Sequence, residues 1–358
     1  MLKKIIISII VLFVLGWGSL TGAKAYLKSL LPDKAHFQAI KQAQTSDLSY
    51  LNEGTPEYRG KILAVVTSAD TMWNGKATGY EHTELARAYW VFSANGFDVD
   101  IASPKGGKPP VVLDGDDMGE YDYAFLNDPA IQNKVENSIP LAEINPDEYE
   151  AVYYVGGKGT MYDFADNQDI KRITKALYQS NKVVSAVCHG PVALLNVQLD
   201  NGKMLLAEKK ISAFTNQEEL FLIPDAQEVF PFLLEDKLIE QGAQFQAGVD
   251  YLEQVSRDGN VITGQNPWSV WTMAEEVVLA LGYEPKAREK TPEERSVELL
   301  LTYEKLGLAA AKAQITSESH SYQQMLLVMH SFLALMQFEL GKGMDILSLA
   351  QAVKASQQ

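Results

Sequence analysis

The 358-residue chain holds one cysteine, Cys188, and His189 comes directly after it. A thiol with an imidazole at hand can work as a nucleophile with its base. A lone buried Cys can equally pack as a small hydrophobe. The surroundings bear on the choice. Residues 183–187 are a short apolar, β-branched run that ends at Cys188, and Gly190 and Pro191 come next. A strand that enters a tight turn and then a helix leaves the turn residue exposed above the sheet, the logic of a nucleophile elbow. Gly permits close backbone approach and Pro suits an early helical position. A helix N-terminus favours thiolate over thiol, so the spacing predicts a reactive Cys188 with a lowered pKa. On this local pattern alone the reactive reading and the packing reading both stay open.

The elements that must carry such a turn are legible along the chain. Apolar runs at residues 61–68, 97–103, 149–155, 183–187, 211–214 and 260–263 read as strands. Helical patterns at residues 84–95, 169–180, 232–242 and 269–282 alternate with them. Alternating strands and helices predict a parallel sheet covered on both faces, an α/β fold. Sites in such sheets form past the carboxyl ends of strands. Gly156-Gly157, Cys188 and Thr215 all stand at such ends. Residues 106–147, with Pro109, Pro110 and the acidic stretch from Asp114 to Asp117, read as an insertion over the sheet rather than part of it.

Five stretches, "TGYEHTELARAYWVF", "YYVGGKGTMYDF", "AVCHGP", "AFTNQEE" and "ITGQNP", occur in this order between residues 61 and 282. Together they resemble the ThiJ/PfpI superfamily, the class I glutamine amidotransferase-like proteins, and within it the heat-shock chaperone and glyoxalase III branch. The resemblance implies a flavodoxin-like, doubly wound parallel sheet with helices on both faces. It implies Cys188 as nucleophile and His189 as a member of the catalytic group. The T-G-x-x-x-x-E pattern implies Glu84, not Glu81, as the acid/base beside the sulfur. Read without the resemblance, Glu84 is a solvated helix carboxylate. The acid that orients His189 maps by spacing to Glu219, with Glu218 the alternative. The Gly156-Gly157 turn resembles the family's oxyanion loop, with Gly157, Lys158 and His189 toward the substrate. Three positions depart from the pattern. Lys158 stands where His is usual, Tyr162 where Trp is usual, and Ala88 where Pro is usual. These bear on substrate shape and local charge more than on the nucleophile.

The resemblance implies cofactor-free conversion of a 2-oxoaldehyde such as methylglyoxal to a 2-hydroxy acid, with glycated protein groups as a second substrate class. A Cys-dependent amidase or peptidase would use the same residues, and a stress holdase or thiol sensor would use the thiol alone. Neither a nucleotide loop nor metal-ligand spacing is found: the glycines at 156 lack a GxGxxG context, and His320 and His330 have no Cys or carboxylate at ligand distance in sequence. The net charge of −15 argues against nucleic acid as partner.

The ends have their own character. Met1-Leu2-Lys3-Lys4, an apolar run at residues 5–20 and Ala23-Lys24-Ala25 fit a signal peptide or an N-terminal membrane anchor, and so an exported, extracytoplasmic protein. The expected organisation is residues 1–25 as leader or anchor, 26–60 as an arm, 61–285 as the α/β domain and 286–358 as a helical C-terminal extension. Helical patterns at 293–313 and 322–340, and a shorter one after Gly343, would pack on the core or on a second subunit of a homodimer.

Overall fold

The computed structural model describes residues 38–52, 54–115, 118–317 and 321–357. The leader or anchor, the first part of the arm (residues 26–37), Asp116, Asp117 and His320 lie outside them.

Strand Lys61–Val65 shows why the chain builds a two-faced sheet. Successive side chains of a strand point to opposite faces. Ile62 and Ala64 enter one apolar cluster with Leu85, Trp90 and Val277. Leu63 and Val65 enter a second with Phe164, Ile173 and Leu194. Both faces are therefore dry, and the run reads apolar throughout. The sheet has seven strands, in spatial order Val255–Asp258, Val261–Gly264, Val183–Val187, Ala151–Tyr154, Lys61–Val65, Asp98–Ser103 and Ile139–Pro140. All neighbours are parallel except the first pair, which is an antiparallel hairpin.

Two expectations need correction. The 106–147 stretch is not wholly outside the sheet, because Ile139–Pro140 pairs with Ala102 and Ser103 as its edge strand. A two-residue strand ending in Pro can serve only at an edge, where the missing N–H is not needed. The stretch also folds two helices, Glu120–Asn127 and Pro129–Glu136. The predicted 211–214 strand shrinks to Lys210–Ile211, paired with Gln244–Phe245 in a separate ladder. Thr215 then takes over as a helix cap, so the chain leaves extended geometry early.

Ala39–Glu289 forms one compact unit and Lys290–Gln358 belongs to another. The second unit is helical: Pro292–Leu306, Leu308–Ser317, Gln324–Met336 and Leu340–Ser356. The single helix expected over 293–313 breaks at Gly307, whose φ is 84°. The last helix is longer than expected and starts before Gly343. Leu299, Leu300, Leu326, Leu327, Leu349 and Val353 are buried there. No helix among the described residues is long and apolar enough to cross a membrane.

Candidate active site

Cys188 directly succeeds the Val183–Val187 strand, with φ at 58°. A non-Gly residue in the left-handed region is uncommon and marks an over-determined turn. Two bonds pin it: the Cys188 N–H donates to Gly264 O at 2.9 Å, and Phe214 N–H donates to Cys188 O at 2.9 Å. Gly190 presses on the neighbouring strand, since a Cβ there would lie 2.2 Å from Tyr154 O. The elbow therefore forms as its residue types require. It runs into the 3-10 turn Gly190–Leu194 rather than into an α-helix. The dipole invoked for a lowered thiol pKa is correspondingly short.

His189 is the next residue and turns its ring back along the turn. Its Nδ1 lies 3.2 Å from Cys188 Sγ, and its Nε2 lies 2.5 Å from Glu219 Oε2. Phe214 and Phe230 flank the imidazole, with centroids 4.8 and 6.2 Å away. Glu219 stands on helix Asn216–Leu222, whose start is a reciprocal cap. Glu218 N–H donates to Thr215 Oγ1 at 3.0 Å, and Thr215 N–H donates to Glu218 Oε2 at 2.9 Å. Glu218 is thus committed to structure. Its Oε1 also accepts from Tyr251 N–H, Gln265 Nε2 and Asn266 Nδ2 at 2.6, 3.1 and 3.1 Å. Of the two candidate acids, Glu219 meets His189 and Glu218 ties the cap to the "GQNP" turn. Burial alone would raise the Glu219 carboxyl, but the His189 charge and hydrogen bond, with Lys158 adding, hold it below its ordinary range.

Glu84 arrives from the other side. Helix His82–Ala94 is buried at every position except Ser93, so its carboxylate has no route to water. The solvated reading of Glu84 is therefore wrong: its relative exposure is 0%. Gly156 N–H donates to Glu84 Oε2 at 2.8 Å. A Cβ on Gly156 would fall 2.5 Å from that oxygen and 2.8 Å from Cys188 Cβ, so only glycine lets carboxyl and elbow meet. Oε1 is buried with no hydrogen-bond partner among the described residues. Burial, with the Glu81 charge adding, pushes the Glu84 carboxyl well up. Burial also pushes the Cys188 thiol up, an ionised Glu84 adds to this, and Lys158 pulls against it. The sequence expectation of a lowered thiol pKa is corrected by this dryness, which no local pattern reveals.

The oxyanion loop closes the site. Thr160 Oγ1 donates to Gly157 O at 2.9 Å and to His189 O at 3.2 Å, stapling the Gly156–Thr160 turn to the elbow. Neither the Gly157 nor the His189 N–H donates to a protein acceptor among the described residues. Lys158 is half-buried between Gly157 and Gly159. Cys188, His189, Glu84, Glu219, Gly157 and Lys158 thus gather at one place. Sequence reasoning missed the role of Glu218 and the Phe230 ring beside His189. Among the described residues no group of three or more His, Cys, Asp and Glu side chains could hold a metal ion.

Fold and site define a doubly wound α/β protein with a Cys-His-Glu triad at a nucleophile elbow. A profile of the DJ-1/PfpI family matches residues 76–217. A glutathione-independent glyoxalase of Saccharomyces cerevisiae is 31% identical over 232 residues, which span 62% of this chain and 98% of that protein. Glyoxalase 3 of Candida albicans is 28% identical, over 62% of this chain and 98% of its own. The solved rapid encystment protein of Francisella tularensis is 34% identical with a TM-score of 0.60, covering 62% of this chain and 99% of that one. The crystal structure of glyoxalase III from Candida albicans has a TM-score of 0.58 at 26% identity, covering 63% and 98%. The chain belongs to the DJ-1/PfpI family.

Proposed function

We propose that this protein is a glyoxalase that works without glutathione or cofactor, converting a 2-oxoaldehyde such as methylglyoxal to a 2-hydroxy acid such as lactate. The observation that carries this reading is the meeting of Cys188 Sγ with two proton-handling groups, His189 Nδ1 at 3.2 Å and the buried Glu84 carboxyl. Relatives named as glyoxalases over nearly their whole length support it.

The chemistry balances with the aldehyde and one water. Sγ attacks the aldehyde carbon as the thiol proton passes to His189 Nδ1, and Glu219 stabilises the imidazolium. The Gly157 and His189 N–H groups face the oxygen that gains charge. The product is a hemithioacetal. The C1 proton then moves to C2 through an enediol, with Glu84 receiving and returning protons at its carboxylate. This internal redox step leaves a 2-hydroxy thioester. Water attacks it, with His189 as base, and releases the acid and the Cys188 thiol. The same adduct would form on glycated protein groups.

The test is lactate formation from methylglyoxal in the absence of glutathione, beside Cys188→Ala. Lactate from the native enzyme and none from the variant supports the reading. No lactate from the native enzyme overturns it. We place the enzyme outside the cytoplasm, because residues 1–25 combine a charged start, an apolar run and an Ala-x-Ala site. Mass spectrometry of the native protein should find Tyr26 first if the segment is cleaved, or an intact, membrane-bound Met1 if it anchors. An intact, soluble cytoplasmic chain would overturn both.

A further inference from the structure

A series of rings leads from the catalytic imidazole to solvent. Phe230 lies 6.2 Å from His189, Tyr162 lies 6.0 Å from Phe230, and Trp73 lies 6.0 Å from Tyr162. Exposure rises along it: Phe230 is 1% exposed, Tyr162 is half-buried, and Trp73 is 65% exposed. The geometry of these pairs is distinctive. They are tilted by 41–55°, whereas the other ring pairs of this unit, His189–Phe214 apart, meet near edge-to-face, at 66–86°. Trp73, exposed, and Tyr162, half-buried, keep ring surface open to a flat group, while the buried Phe230 backs Tyr162 from behind.

The rings are also held in place. Tyr162 Oη donates to Val229 O at 2.9 Å, beside Phe230. Trp73 sits in a turn closed by the Thr71–Ala77 bridge and by Met72 N–H to Lys76 O at 2.9 Å, with Met72 buried as its root. The base of that turn is clamped by Asp163, which accepts from Thr67 Oγ1 and Ser68 N–H at 2.7 Å each. Its far end lies on the oxyanion loop, where Gly159 N–H donates to Gly79 O at 3.4 Å. An exposed Trp on so fixed a turn, at the open end of a ring series that begins at the catalytic histidine, is built to receive something.

We propose that Trp73 and Tyr162, with Phe230 packed behind them, form a subsite for a flat, apolar substituent of the substrate, so that the enzyme prefers aryl-substituted 2-oxoaldehydes to methylglyoxal. The proposal rests on the glyoxalase reading for its substrate and on the ring geometry for its preference. Two measurements separate these. The first is kcat/KM, from initial rates, for phenylglyoxal against methylglyoxal in the native enzyme, Trp73→Ala and Trp73→Phe. The native enzyme favours phenylglyoxal. Trp73→Ala lowers the ratio about tenfold, the scale of one well-placed aromatic contact, and Trp73→Phe restores most of it. The second is the rate of Cys188 alkylation by N-benzyl iodoacetamide against iodoacetamide, which needs no turnover. The benzyl reagent gains in the native protein and loses that gain in Trp73→Ala. Turnover of both aldehydes with a ratio that Trp73→Ala leaves unchanged overturns the subsite and spares the glyoxalase. Absence of turnover with a Trp73-dependent alkylation ratio sinks the glyoxalase and keeps the subsite. An alkylation ratio indifferent to Trp73, or no labelling of Cys188 by either reagent, overturns the subsite.

Discussion

His189 in the α/β unit and His330 in the helical unit are both buried, and the two units treat them in opposite ways. His189, 1% exposed in the α/β unit, has Cys188 on one ring nitrogen and Glu219 on the other. His330, on helix Gln324–Met336, is 9% exposed, and no hydrogen bond to its ring is found among the described residues. Burial, with the Lys342 charge adding, pushes it down to about 4. A buried polar group is costly unless it is paired. The α/β unit meets that cost with matched partners, and the pairing makes a machine for moving protons. The helical unit meets it by favouring the neutral ring, which packs among apolar neighbours. Burial of a titratable group is thus no mark of a site; the company it keeps is.

The sharpest way to break this contrast is to remove the sulfur. Cys188→Ala should abolish lactate formation, a loss of more than about 10⁴-fold if the thiol is the nucleophile, while His330→Phe should leave the rate within about twofold. A large rate loss in His330→Phe would erase the distinction between the units.

Glu84→Gln should lower kcat by about 10²–10⁴-fold, the range of general acid–base help, with the thermal midpoint little changed. Glu81→Gln should be nearly silent in the same steady-state assay. Inactivity of Glu81→Gln with an active Glu84→Gln would reverse the assignment.

Glu219 and Glu218 sharpen the comparison within one helix turn. Glu219→Gln should cost about 10²-fold in kcat, because the imidazolium loses its counter-charge. Glu218→Gln should act mainly on stability, by about 1–3 kcal/mol in a denaturant titration, since its oxygens accept four bonds that an amide cannot all replace. Equal kinetic losses in both would mean that the cap, not the acid, sets the rate.

The effect furthest from catalysis belongs to His330. Its folded pKa of about 4 lies below the ordinary value near 6.5, so the unfolded chain takes up the proton first. The stabilising contribution is whole above pH 6.5 or so and is lost as pH falls toward 4, by up to about 1.4 kcal/mol per unit. Amides of 324–336 should therefore exchange faster, after correction for intrinsic rates, as pH drops through that window. His330→Phe should flatten the response. A slope that persists in the variant would place the titrating group elsewhere.

How far this site was legible in the sequence depends on the range of the forces involved. Cys188, Gly190 and Pro191 announce the elbow because turn chemistry acts over a few residues. Thr215 with Glu218 three residues on is a local capping signature, and it carries Glu219 into place. Glu84 is another matter: its burial comes from packing all round helix His82–Ala94, which the charge and the spacing of one residue do not reveal. The thiol environment is hidden for the same reason, since dryness is a property of the assembled walls. Ile139–Pro140 was missed because two residues carry no periodicity, and the break at Gly307 because apolar spacing continues on either side of it.

The left-handed backbone at Cys188, with φ at 58°, has a consequence for how such a chain can drift. Gly and Asn tolerate that conformation better than Cys does, and strain of this kind is worth on the order of 1 kcal/mol. Relief of that strain in Cys188→Gly is offset by the loss of a buried side chain and by the entropy of glycine, so the variant should keep roughly the native stability while losing the reaction. The thiol persists at this position only while something outside the fold keeps asking for its chemistry.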